Sequence, residues 1–162
     1  MEAFGGVGGF PAENAVRLLA AVLCGVLIGF NRDRKQKAAG VRTLGLVALG
    51  ACLVSLAALH EPSLHDNADA LSRIIQGVLQ GVMTGVGFIG AGVILKQDGS
   101  MRVRGLTTAA AVWLTAALGI VCALADWTLA AMGVVLALLV LSLPRHVARI
   151  FGDTRPDDDY DE

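Results

Sequence analysis

Charge is what this chain has least of. Asp, Glu, Lys and Arg make up 17% of it against 55% hydrophobic residues, and the mean hydropathy is +0.66. A net charge of -1 leaves no basic excess to mark a nucleic-acid binder, so no nucleic-acid partner is expected. Cysteine is sparse and unpatterned. Cys24, Cys52 and Cys122 each fall inside an apolar run, with neither metal-ligand spacing nor a secreted-disulfide pattern, and read as small buried hydrophobes. There is no P-loop, no nucleophile elbow and no HExxH, so the sequence points to no enzyme and no cofactor. His60 and His65 fall in one loop and His146 follows the last apolar run; all three read as solvated surface histidines. The first twelve residues lack a basic n-region. The first apolar run ends in Asn31-Arg32-Asp33-Arg34-Lys35 rather than at a small-residue cleavage site, so a cleavable signal is not expected. Carboxylates are missing from the middle of every apolar run. Mg²⁺ takes octahedral oxygen ligands that usually include carboxylates, which argues against a magnesium channel housed within one subunit.

What the chain does have is long uncharged stretches. From Ile74 to Leu95 no residue carries a formal charge, a run of roughly 33 Å as a helix, enough to cross a hydrocarbon core of about 30 Å. Glycine stands at 77, 81, 85, 87, 90 and 92 within it. Each would cost a soluble helix about 1 kcal/mol relative to alanine, whereas in a membrane glycine lets helix backbones approach closely. The chain therefore reads as a membrane protein in contact with the lipid bilayer, and this run as its central packing helix, with its glycines against the first or second run.

Five apolar runs lie near 14–31, 43–60, 74–95, 106–124 and 127–143. Asp126-Trp127 leaves almost no loop between the last two, which predicts a helical hairpin with Trp127 as an interfacial anchor. Arg32, Arg34, Lys35, Lys37 and Arg42 follow run one; Lys96, Arg102 and Arg104 follow run three; Arg145, Arg149 and Arg155 follow run five. Of the 13 Lys and Arg only Arg17 and Arg73 lie on the other side. The positive-inside bias puts the N-terminus outside and the C-terminus in the cytoplasm. Residues 153–162 are acidic and unpatterned and read as a short disordered tail.

Several constellations stand out. Gln76, Gln80 and Thr84 form one stripe on run three, and Gly77, Gly81 and Gly85 the stripe beside it. The polar stripe fits either a hydrated cavity lining or interhelical hydrogen bonding beside a glycine packing face. Gly25 and Gly29 on run one are natural packing partners. Glu13 and Arg17, four residues apart, suit a pair along a helix. Arg102 to Thr108 opens run four. Arg42, Arg104, Thr107 and Thr108 are candidates for an anion or partner site, because two arginines and two hydroxyls would meet the free N–H groups of a helix start. The plainer reading is a threonine N-cap with arginines that set topology.

Gly85-Val86-Gly87-Phe88-Ile89-Gly90-Ala91-Gly92-Val93-Ile94, then Val103-Arg104-Gly105-Leu106-Thr107-Thr108-Ala109-Ala110, then Trp113-Leu114-Thr115-Ala116-Ala117-Leu118-Gly119, resemble the core of the MgtC/SapB membrane family. Ile28-Gly29 and Ala39-Gly40-Val41-Arg42-Thr43 are similar to its first cytoplasmic loop, and the resemblance covers about residues 13 to 145. It implies a bacterial inner-membrane protein linked to growth under magnesium limitation and, in pathogens, to survival in host cells and virulence. It also implies a regulatory role on other membrane proteins, the ATP synthase among them. Asn31 stands where the family often has Glu, and Leu44 where it often has His, so no acid or histidine role carries over at those positions. Some members carry a soluble C-terminal regulatory domain, which is not expected here.

The expected architecture is all-α, an integral bundle of five transmembrane helices, N-out and C-in. Residues 1–145 would form the membrane domain and 146–162 the tail. The leading function is a regulatory or partner-binding protein without metal ligands. The alternative is a homo-oligomeric transporter or channel for Mg²⁺ or another ion. A periplasm-dependent reporter enzyme fused after Gly152 is expected to stay silent; activity from it would invert the orientation.

Overall fold

The computed structural model describes residues 11–60, 68–96 and 103–143. The acidic tail, His65, His146 and the arginines at 102, 145, 149 and 155 lie outside the described residues. Five helices follow one another: α1 (Pro11–Asp33), α2 (Val41–Leu59), α3 (Ala68–Val93), α4 (Leu106–Ala123) and α5 (Trp127–Ser142). Among the described residues four of them, α1 to α4, are long and apolar enough to cross a membrane, while α5 is a shorter apolar helix of 16 residues. The fold is an all-helical membrane bundle. One local feature departs from the expected loops: β1 (Leu95–Lys96) pairs antiparallel with β2 (Val103–Arg104), Leu95 opposite Arg104.

The connections follow from local chemistry. Between α4 and α5 the chain turns through Ala125 in the left-handed region at φ 56°, and the Asp126 carboxylate accepts the Leu129 N–H at 2.9 Å. That is an N-cap, and it starts α5 at Trp127, which is half exposed, as an interfacial anchor would be. His60 is not the solvated residue its loop position suggested. Its Nδ1 donates to the Leu56 carbonyl at 2.8 Å and its Nε2 accepts from Asn14 Nδ2 at 3.1 Å, closing α2 against the start of α1. Arg17 pairs with Glu13 and also donates to the Ala123 carbonyl at 2.7 Å, satisfying an orphan carbonyl at the end of α4.

The core lies between α1, α2 and α4. Its largest fully buried side chains are Ile28, Leu44, Val112, Thr115, Cys52 and Cys122. The hydroxyls there are turned inward on their own helices: Ser55 donates to the Ala51 carbonyl at 2.8 Å and Thr115 to that of Ala111 at 2.7 Å. Cys24 Sγ lies 3.9 Å from Cys122 Sγ across the α1–α4 contact.

Close approach depends on a few glycines. A Cβ on Gly25 would sit 2.4 Å from the Leu44 carbonyl oxygen, and one on Gly29 2.6 Å from Val41 Cα, so α1 meets α2 backbone to backbone. One on Gly119 would sit 2.3 Å from the Ala48 oxygen, where α4 meets α2. Run three was expected to be the packing helix, and the structure corrects this. The α3 span is 11% buried against 56% for α4, and a Cβ on Gly77, Gly81 or Gly85 would meet nothing within 4 Å. α3 packs mainly through Val82, Met83, Val86 and Gly90, on the opposite side of the helix. The glycines mark a close approach, but within the chain that approach is made by α1 and α4.

Gly119→Leu is expected to lower the thermal midpoint in detergent by overpacking worth about 1–3 kcal/mol or more. An unchanged midpoint would mean that the α2–α4 contact is looser than described.

Candidate functional site

The end of α1 and the turn after it carry an unbroken polar run from Asn31 to Lys37, and its residues organise one end of the bundle. Asn31 donates from Nδ2 to Ser142 Oγ at 3.2 Å, and Lys35 donates from Nζ to the Leu141 carbonyl; both contacts hold the last turn of α5. A lysine on the final carbonyls of a helix satisfies orphan acceptors and faces the negative end of the helix dipole. Asp33 Oδ2 accepts the Val41 N–H at 3.0 Å and so caps α2 from outside. Gly40 permits this, since a Cβ there would collide with the Asp33 carboxylate. Arg34 lies over the Phe30 ring at 5.5 Å.

Arg32 is the centre of the arrangement. It is 2% exposed although it lies beside the bundle end. Its Nε donates to the Ala39 carbonyl at 3.0 Å, its Nη1 to the Thr107 carbonyl at 3.5 Å, and its Nη2 to the Thr108 hydroxyl. A guanidinium has five N–H donors in a rigid fork, so one side chain can tie α1, the segment before α2 and the first turn of α4 together.

The first turn of α4 reaches Arg32 because of Gly105. At φ 89° it occupies the left-handed region, and a Cβ there would lie 2.1 Å from the Val93 carbonyl oxygen. Glycine alone fits, and it lets the β1–β2 pair turn directly into α4. Gly105 is also the N-cap residue and supplies no side-chain cap, so the expected threonine N-cap is not what starts this helix.

The residues singled out from sequence divide as follows. Thr108 is buried and its hydroxyl is engaged by Arg32, which makes it part of the fastening. Thr107 gives its carbonyl to Arg32 while its side chain is exposed. Arg42 is exposed in the first turn of α2, one residue beyond the N–H that Asp33 caps. Arg104 is half buried on β2, immediately before Gly105. Gln76, Gln80 and Thr84 are exposed on α3 and line no interior cavity among the described residues. The residue that sequence reasoning missed is Arg32, counted there as one loop charge among several. Its signal was position, because it stands two residues after Phe30 at the end of the apolar run, where an ionisable side chain marks a partner contact.

Chemically, this end offers a buried cation already satisfied by oxygens, with Arg34, Lys35, Lys37 and Arg42 exposed around it. That suits an acidic surface or an anionic headgroup. Among the described residues no group of three or more His, Cys, Asp or Glu could hold a metal ion.

A family model described as the MgtC family matches residues 18–150. Protein SrpB of Synechococcus elongatus is 43% identical over 140 residues, covering 83% of this chain and 76% of that protein. Protein MgtC of Salmonella typhimurium is 42% identical over 105 residues, covering 65% of this chain and 41% of that protein. A protein named putative magnesium transporter YhiD, from Escherichia coli, is 41% identical over 138 residues, covering 82% of this chain and 60% of that protein. The chain thus spans less than two thirds of the last two. No solved structure matches it.

Arg32→Met should lower stability by at least about 1.5–3 kcal/mol, the range for hydrogen bonds to a charged group, and Thr108→Val by about 1–3 kcal/mol. Thermal midpoints in detergent should be non-additive in the double variant, because both changes remove one contact. Additive losses would mean that Arg32 and Thr108 do not act together.

Proposed function

Since the chain belongs to the MgtC family and is a multi-pass protein of a bacterial inner membrane, we propose that it is a regulator that binds another membrane protein during adaptation to magnesium limitation. The contact surface is the basic end of the bundle, facing the cytoplasm under the positive-inside bias. Arg42, Arg104 and Thr107 form its outer part on a base held rigid by Arg32 and Thr108. The partner chemistry is an acidic patch near the membrane surface, and the ATP synthase is the partner that the family resemblance suggests.

The observation that carries this reading is the buried guanidinium of Arg32. It is buried where α1, the segment before α2 and the first turn of α4 meet, and a fixed positive charge there repels Mg²⁺. Above it the inward hydroxyls of Ser55 and Thr115 are spent on their own helices and the remaining core is apolar. A second reading, an oligomeric transporter for Mg²⁺ or another ion, draws on the exposed Gln76–Gln80–Thr84 stripe, which would line a path only between subunits.

Arg42→Gln and, separately, Arg104→Gln, assayed for growth at low magnesium and at matched protein level, are expected to lose function, with the thermal midpoint unchanged in Arg42→Gln, whose side chain is exposed. Full function would remove these residues from the site. Saturable Mg²⁺ uptake by proteoliposomes of the purified protein would instead favour the transporter.

A further inference from the structure

One face of α1 meets α4 at three levels. Arg17, Cys24 and Arg32 are spaced seven and eight residues apart, which puts them on the same side of the helix. Arg17 donates to the Ala123 carbonyl at 2.7 Å, and Arg32 to the Thr107 carbonyl and the Thr108 hydroxyl. Between them Cys24 Sγ lies 3.9 Å from Cys122 Sγ, and both thiols are free. Cys52 is buried in the same cluster, yet it has no sulfur partner at hydrogen-bonding distance among the described residues. Disulfide sulfurs stand about 2.05 Å apart, so this pair has to close by roughly 1.9 Å, about 1 Å from each side. Rotation about each Cα–Cβ bond moves a sulfur on that scale.

We propose that Cys24 and Cys122 are a reversible thiol–disulfide site that joins α1 to α4, with a lipid-dissolved quinone as the oxidant. Both residues lie within candidate membrane spans, so the oxidant has to dissolve in lipid, and a quinone is a two-electron acceptor of that kind. Cys24 is half-buried beside the exposed Leu23 and Leu27, and is the thiol open to it; Cys122 lies behind, fully buried. Cys122 is also the next-to-last residue of α4, at the end away from Arg104, which the positive-inside bias turns outward. Disulfides persist on that side of a bacterial inner membrane. In the reaction Cys24 Sγ adds to the quinone and its proton passes to a quinone oxygen. Cys122 Sγ then attacks Cys24 Sγ. The S–S bond forms, the bond from sulfur to the quinone breaks, and its electron pair and the second thiol proton leave on the hydroquinone. Two thiols are oxidised and one quinone is reduced. The bridge adds a covalent link to the interface that Arg17 and Arg32 hold by hydrogen bonds. The inference does not depend on the regulatory reading, because it concerns the covalent state of the α1–α4 contact.

The test uses the full chain in phospholipid nanodiscs, reduced with a phosphine, freed of it and exposed without oxygen to a short-chain ubiquinone. Thiols that remain are alkylated after denaturation and located by peptide mass mapping. Wild type should fall from three labelled cysteines to one, Cys52, with one hydroquinone formed per chain and a raised thermal midpoint. Dithiothreitol should restore all three. Cys24→Ser and Cys122→Ser should each keep both remaining thiols and form no hydroquinone, whereas Cys52→Ala should still lose two. If Cys122→Ser does not fold, Cys24→Ser at the half-buried position carries the same comparison. Membranes of respiring cells, quenched with acid before alkylation, should contain the Cys24–Cys122 bridge. Three labelled cysteines after quinone, a bridge that includes Cys52 or a second chain, or hydroquinone formation that survives Cys24→Ser would each overturn the proposal. So would an oxidised chain that melts below the reduced one, or a pair that is wholly reduced in respiring membranes.

Discussion

A guanidinium drawn in from the end of an apolar bundle must be given oxygens, and that requirement shapes everything around Arg32. Desolvating an arginine is costly unless its donors are met, and here they are met by carbonyls and a hydroxyl from separate segments. Satisfying the side chain is therefore the same event as bringing α1, the segment before α2 and the start of α4 together. Its neighbours extend the effect: Asp33 starts α2, and Asn31 and Lys35 hold the end of α5. A short polar sequence at the end of one helix thus fixes the ends of three others.

The rest of the bundle is held by contact between backbones. In lipid the helices gain little from hiding apolar side chains from one another, so packing depends on how closely they can approach. Gly25, Gly29 and Gly119 make that approach at α2, and cysteine and alanine fill the remainder. The α1–α2–α4 unit is consequently tight, while α3 touches it along one side and leaves its glycines outward. A bundle with a dense three-helix centre and an open fourth helix has a rigid part that carries the basic end and a separate face left for another surface.

The two regions differ in chemistry. The basic end presents arginines and lysines on a base that Arg32 keeps from shifting, which suits recognition of acidic groups at the membrane surface. The Gln and Gly side of α3 carries no charge between Ile74 and Leu95 and suits contact within the membrane.

The helices were legible because each apolar run has to satisfy its own backbone in lipid, and hydropathy alone reveals such runs. Runs read near 14–31, 43–60, 106–124 and 127–143 became helices at 11–33, 41–59, 106–123 and 127–142. The hairpin at Asp126-Trp127 and the Glu13–Arg17 pair were legible too, since both are contacts between near neighbours in the chain. Partner choice was not legible. A glycine stripe states that something comes close without stating what, so the pattern at 77, 81 and 85 looked as good a core as Gly25 and Gly29. Arg32 and Thr108, 76 residues apart, were read as topology charge and helix cap because nothing local joins them. Sequence determined which segments are helical and apolar; tertiary structure decided which small residues are inside and which arginine is buried, because those depend on the packing that brings the backbones of α1, α2 and α4 together and gives the Arg32 guanidinium its oxygens.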